Sequence, residues 1–168
     1  GAGYQTCRKL LDDGWVGRPL SGTAFMMCRG PEGWHPNPAF FYQVGGGPMF
    51  DVGPYYMTAL VHLLGPVKQV SAVTTKGFQT RTATWEEHFG EELPVDVPTH
   101  YSGTLVFANG SVVTVGVSFD VHRHTHSPIE IYGTEGSLCA YPDPRSGLHH
   151  ASPSSLPSPS AWIQTSGL

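Results

Sequence analysis

Three consecutive glycines at 45–47, followed at once by Pro48, constrain this chain more than any other feature of it. Glycine loses the most backbone freedom on ordering and proline lacks an N–H, so no long helix or strand can run through this point. The stretch in front, PEGWHPNPAFFYQV at 31–44, holds three prolines and is predicted to be a loop. Trp34, Phe40, Phe41 and Tyr42 are too many large rings for a solvated linker, so the loop is expected to be ordered and to cover a site. Behind the glycines, 48–64 carries the strongest helical pattern in the chain, with Tyr56, Leu60, Leu63 and Leu64 on one side and Gly65-Pro66 ending it. Pro54 cannot donate to the Phe50 carbonyl, so this helix must either begin near Asp51 or kink there.

The rest of the chain reads as sheet. Only 13% of its 168 residues are charged, against 21 glycines and 15 prolines, a balance that favours strands, turns and loops over a charge-laced helical bundle. A short helix is predicted over Tyr4–Asp13, stopped by Gly14, and a buried strand over 21–29, with Arg29 at its end. VKQVSAVTTKGF at 67–78 alternates, Asn109-Gly110 separates two strand-like runs within 99–119, and a second hairpin is expected to turn at Gly133–Gly136. These elements predict an α+β domain: an open, mainly antiparallel sheet of five or six strands with helices on one face. The domain is placed at 1–141, with 1–14 as a linking helix. The Pro/Ser-rich stretch 142–168 is expected to lack regular structure.

A formal charge of -4 offers no basic field for nucleic acid or an anionic membrane surface, which leaves small molecules and protein partners. Three scattered cysteines have neither zinc-ligand spacing nor the even count of a disulfide framework. With no long apolar span or signal core, the chain is expected to be soluble and cytoplasmic. Because it opens on Gly1 and runs almost directly into a helical pattern, it is expected to be a fragment.

On the long helix, Asp51, Tyr55, Thr58 and His62 are spaced to share one stripe, which places four proton-handling groups together. Such a stripe can be only the solvated side of an amphipathic helix. The preceding glycines give it a second meaning, since they let backbone approach a ligand closely and the helix start offers unpaired N–H groups. His122, His124 and His126 alternate, so in an extended strand their rings would share a face. No Cys or carboxylate stands beside them at ligand spacing, and no metal is expected. Neither a GxSxG elbow nor a GxxxxGK[ST] loop is present, and Gly1-Ala2-Gly3 is followed by Thr6 where a dinucleotide fingerprint needs its third glycine.

QTCRKLLDDGWVGRP at 5–19, WHPNPAFFYQVGGGPMFDVGPYYMTALVHLLGPVKQV at 34–70 and PIEIYGTEGSLCAYPDP at 128–144 together resemble the C-terminal domain of the Gfo/Idh/MocA oxidoreductases. The resemblance implies an enzyme that uses NAD or NADP to move a hydride to or from a sugar, a polyol or a related compound. It also implies a separate Rossmann domain carrying the cofactor loop and a catalytic lysine, both absent here, and association of copies through the exposed sheet face. The family's catalytic Asp corresponds to Asp51. Its following His is Tyr55 here, and a further Asp is Thr58, so a phenol must relay the proton with help from a nearby cation or hydrogen-bond network. Gly46 and Gly47 would face the cofactor, while His35, Asn37, Tyr42, Arg29 and His126 would contact substrate. The alternative is a non-catalytic binding or oligomerisation module derived from the same family.

Overall fold

A computed structural model of the chain describes residues 2–140 and the backbone of 161–165. Helix α1 (Ala2–Asp12) ends where Gly14 takes a positive φ of 78°. Strand β1 (Pro19–Met27) follows, and then the long loop to residue 47, whose only regular pieces are single 3₁₀ turns at Pro31–Gly33 and Ala39–Tyr42. Pro54 divides the predicted helix into α2 (Pro48–Asp51) and α3 (Gly53–Leu64), joined through Val52. Its missing N–H is tolerated because it falls in the first turn of α3.

Strands β2 (Val67–Thr75), β5 (His100–Phe107), β6 (Val112–Ser118), β7 (Ile129–Gly133), β8 (Gly136–Ala140) and β9 (Ala161–Thr165) join β1 in one sheet of order β2-β5-β6-β1-β7-β8-β9. Every neighbouring pair is antiparallel except β1 and β6. Strands β3 (Thr80–Thr82) and β4 (Glu92–Pro94) form a separate two-stranded ribbon between β2 and β5. Both predicted hairpins form, and Gly110 supplies the positive φ of 89° that the first one needs. The fold class is therefore the expected α+β arrangement, with more strands than the pattern suggested. Five residues of the stretch expected to lack regular structure, Ala161–Thr165, pair with β8 as β9, where ladder hydrogen bonds are open to any extended segment. The other residues of 142–168 lie outside the described residues.

Alternation along the strands decides where the core sits. Gly22, Ala24 and Met26 of β1 stand beside Val113, Val115 and Val117 of β6, and Ile129, Ile131 and Leu138 continue that face, all buried. Cys7 of α1 and Tyr56, Leu60, Leu63 and Leu64 of α3 belong to the same buried cluster. Each buried leucine contributes roughly 1.5–3 kcal/mol relative to exposure. The end of α3 is closed by side chains from two directions. Arg8 donates to the Leu63 carbonyl (2.7 Å) and Asn109 to that of Leu64 (3.1 Å), satisfying acceptors that a helix terminus leaves open. Among the described residues, no helix is long and apolar enough to cross a membrane.

Candidate active site

The glycine run earns its composition inside the chain. Gly47 is buried at φ 86°, its N–H donates to the Phe41 carbonyl (2.6 Å), and a Cβ there would stand 3.1 Å from the Pro98 carbonyl oxygen. A Cβ on Gly46 would meet the Phe40 and Phe41 carbonyl oxygens at 2.5 and 2.7 Å. These two glycines thus fold the loop back on itself and aim Pro48 into α2. Gly45 is different: it is exposed at φ 94° with nothing within 4 Å of its missing Cβ.

Asp51 ends α2 and Tyr55 lies in the first turn of α3; both are exposed, Tyr55 to 60%. Thr58 and His62 are exposed as well, so the predicted stripe exists on the outside of the helix while Tyr56, Leu60, Leu63 and Leu64 face the sheet. Asp51 also acts inward. Cys28, just past β1, has its thiol pushed up to about 12, first by burial and then by the carboxylates of Asp51 and Glu32, against an opposing pull from Arg81. The thiol is thus raised by the exposed Asp51 and also by Glu32, a member of a second, largely buried charged group.

That second group has no precedent in the sequence pattern. Arg81 of β3, with its side chain only 11% exposed, donates to Glu32 (Nη1 to Oε1, 2.8 Å), to Asp120 and to the Phe119 carbonyl (2.9 Å). Its guanidinium carbon also stands 4.5 Å from the centre of the Phe78 ring. One cation faces two carboxylates, and hydroxyls meet the remaining acceptor demand. Tyr42 donates to Glu32, and Thr99 donates to Asp120 (2.6 Å). Burial and the Glu32 hydrogen bond raise the Tyr42 phenol well above its ordinary range. A Cβ on Gly30 would overlap the Tyr42 hydroxyl and the Glu32 carboxylate, which accounts for glycine at that position. The available signal was a charge at the edge of an apolar or rigid run: Asp120 directly after VVTVGVSF, and Glu32 between Pro31 and Gly33.

The residues expected at the substrate fall into separate places. His35 is half-buried in a box of rings, with Trp34, Phe40 and Phe41 at centroid distances of 5.4, 5.5 and 4.9 Å. Its Nδ1 accepts from the Asn37 backbone N–H (3.0 Å), and the Asn37 side chain is exposed. Tyr42 is fully buried, with its hydroxyl donating to Glu32. Arg29 is exposed and its backbone bridges Asp120. The His126 ring lies 4.4 Å from that of Phe25, which alternates with Ala24 and Met26 and so faces away from the helices. The structure therefore puts His126 on the opposite side of the sheet from α3. His122, His124 and His126 lie outside any strand, because 121–128 must pass from β6 to β7 around the end of β1, which lies between them. Among the described residues, no three His, Cys, Asp or Glu side chains are grouped to hold a metal.

An open sheet with helices on one face, and a glycine-led helix presenting an exposed Asp beside an aromatic loop, define a class of domain. Residues 4–139 match the GFO/IDH/MocA C-terminal domain, and the chain belongs to that family. It is similar to the levoglucosan dehydrogenase of Pseudarthrobacter phenanthrenivorans, at 26% identity over 148 residues, covering 78% of this chain and 37% of that protein. The solved structure of levoglucosan dehydrogenase in complex with NADH and levoglucosan matches with a TM-score of 0.65 and 25% identity, over 80% of this chain and 36% of that one. A super-repressor mutant of Gal80p from Saccharomyces cerevisiae shares the fold at a TM-score of 0.68 and 15% identity, over 82% and 37% of the two chains. This chain thus spans a little over a third of the length of these relatives.

Proposed function

We propose that this chain is the substrate-facing, C-terminal part of a cytoplasmic NAD(P)-dependent oxidoreductase acting on a hydroxyl or carbonyl of a sugar, a polyol or a related compound. The observation that carries the reading is the position of Asp51 and Tyr55: exposed, one helical turn apart, at the point where the glycine run delivers the chain into α3, in a domain whose relatives include levoglucosan dehydrogenase. The open backbone at Gly45 fits the approach of a flat ring, and Gly46 and Gly47 shape the turn beside it. No glycine-rich strand-to-helix phosphate loop occurs among the described residues, so the chain suits the reactive end of a dinucleotide and leaves its phosphates to a Rossmann domain. When bound, the nicotinamide supplies the hydride chemistry.

The chain's own residues handle binding and the proton. Asp51 accepts a hydrogen bond from the reacting hydroxyl and orients it; Tyr55, one turn on, relays the proton. His35 and Asn37, joined to each other by a hydrogen bond, hold other hydroxyls, and Arg29 is a further contact from the end of β1. Copies associate through the face of the sheet that the helices leave open, where Ser71, Thr104, Thr114 and Thr23 form one row of small side chains across four strands. The test is a screen of the gene product that carries this chain, with NAD and NADP and a panel of anhydrosugars, aldoses and polyols, beside its Asp51→Asn and Tyr55→Phe variants. Turnover that falls in both supports the reading. Turnover unaffected by either variant overturns the roles, and no turnover together with intact self-association favours a binding module.

A further inference from the structure

The aromatic loop makes few direct attachments to the sheet. Among the backbone hydrogen bonds outside regular elements, those of Trp34, His35, Phe41, Gln43, Gly46 and Gly47 all close within 31–47. The loop reaches outward through Glu32, whose carbonyl accepts from Thr84 (2.8 Å) and Trp85 (3.2 Å), and through Tyr42, whose carbonyl accepts from Asp96 (2.8 Å). Thr84, Trp85 and Asp96 all flank the β3–β4 ribbon. The side chains of these same two loop residues are hydrogen-bonded to each other, and Glu32 is paired with Arg81 of the ribbon. Arg81 in turn grips Asp120 and the Phe119 carbonyl, just beyond β6. Backbone bonds thus join loop to ribbon, while the side-chain link from both of them to the segment beyond β6 converges on one guanidinium.

His35 lies at the far end of this connection. Its N–H and that of Trp34 close on the Pro31 carbonyl, in the turn that contains Glu32, and its ring packs against Phe41, the neighbour of Tyr42. We infer that Arg81 is a positioning residue for the site: by tying Glu32 to Asp120 it fixes the aromatic loop, and with it the orientation of the His35 ring, without touching substrate. The inference rests on the proposed role of His35 but concerns geometry that can be read without turnover. Apolar packing of Phe41 and Tyr42 on Phe119, at ring distances of 6.3 Å each, is the competing means of holding the loop.

The experiment is NMR of the ¹⁵N-histidine-labelled chain, with His35 assigned from its absence in His35→Gln, recorded well above the ordinary imidazole pKa. Because Nδ1 accepts from Asn37, the ring proton belongs on Nε2, which separates the two nitrogen shifts widely. In Arg81→Met the shifts are expected to converge as the ring loses this bond. Hydrogen exchange at the Trp34 and His35 amides should rise by at least about tenfold, while β6 amides keep their protection. Arg81→Lys retains the charge and should restore part of the separation. Should Arg81→Met fail to fold, Glu32→Gln is read in the same way, since it preserves size and removes the ion pair. A wild-type His35 signature in a folded variant would overturn the inference in favour of ring packing. Turnover left unchanged by Asp51→Asn, with the His35 response to Arg81→Met as expected, overturns only the proposed function, so the two readings fail separately.

Discussion

Asp120 and Asp51 each close a regular element on a carboxylate, and the two places have opposite designs. Asp120 is largely enclosed with Glu32 around Arg81, and hydroxyls of Thr99 and Tyr42 reach the carboxylate oxygens that the guanidinium does not. Asp51 stands at the surface beside Tyr55, on a stripe whose other members are also exposed. A largely buried carboxylate with a partner on each oxygen specifies geometry, because any alternative arrangement strands a charge in a poor solvent. An accessible one can be reached by a ligand. The difference teaches that the charges holding this domain together and the charges offered to chemistry are distinct sets, with the Cys28 thiol influenced by both.

Arg81→Met breaks the first set most directly. It leaves the buried Glu32 and the largely buried Asp120 without a cation, and urea unfolding should register a loss of about 3–5 kcal/mol. Asp51→Asn should do the reverse: stability within about 0.5 kcal/mol of the parent, and turnover of the intact gene product lowered by about a hundredfold. A large stability change in Asp51→Asn would erase the distinction drawn here. Tyr42→Phe removes one hydroxyl from the buried set, and leaving Glu32 Oε2 without its donor should cost about 1–3 kcal/mol in the same unfolding measurement.

A pH-dependent effect appears in alkali. Burial raises Cys7 from 9.0 to about 11 and Cys28 from 9.0 to about 12, so the folded chain keeps these protons where the unfolded chain releases them. Their contribution is complete below pH 9.0, erodes above it, and is gone once pH passes the folded values. Unfolding midpoints measured from pH 7 to pH 11 should therefore be level at first and then fall. A rise over that alkaline range would mean the thiols are not held neutral by burial.

Much of this was legible in the sequence, for reasons that stay local. Asn109-Gly110 makes its hairpin because a tight turn needs positive φ there, and Leu60, Leu63 and Leu64 face inward because helical spacing leaves them no other choice. Asp51 and Tyr55 lie on an exposed stripe for the same reason of spacing. What escaped was set by contacts between distant segments. Arg81 is one charge among polar neighbours, and Glu32 and Tyr42 are residues of a loop, and nothing short-range in any of them reports that they meet. His126 shared a histidine run with no sign of which side of the sheet it would occupy; the passage from β6 around β1 to β7 decided that.

Taken alone, the sequence determined the α+β class, the two hairpins, the broken helix at Pro54 and the exposed Asp51–Tyr55 pair, because turn chemistry and side-chain period act over a few residues. Only the tertiary structure decided the parallel pairing of β1 with β6, the ribbon and the buried Glu32–Arg81–Asp120 group that anchors the aromatic loop. Those depend on which separate segments come together, across 39 to 49 positions of chain for the charged group, and a charge finds its partner there only once the fold has excluded water.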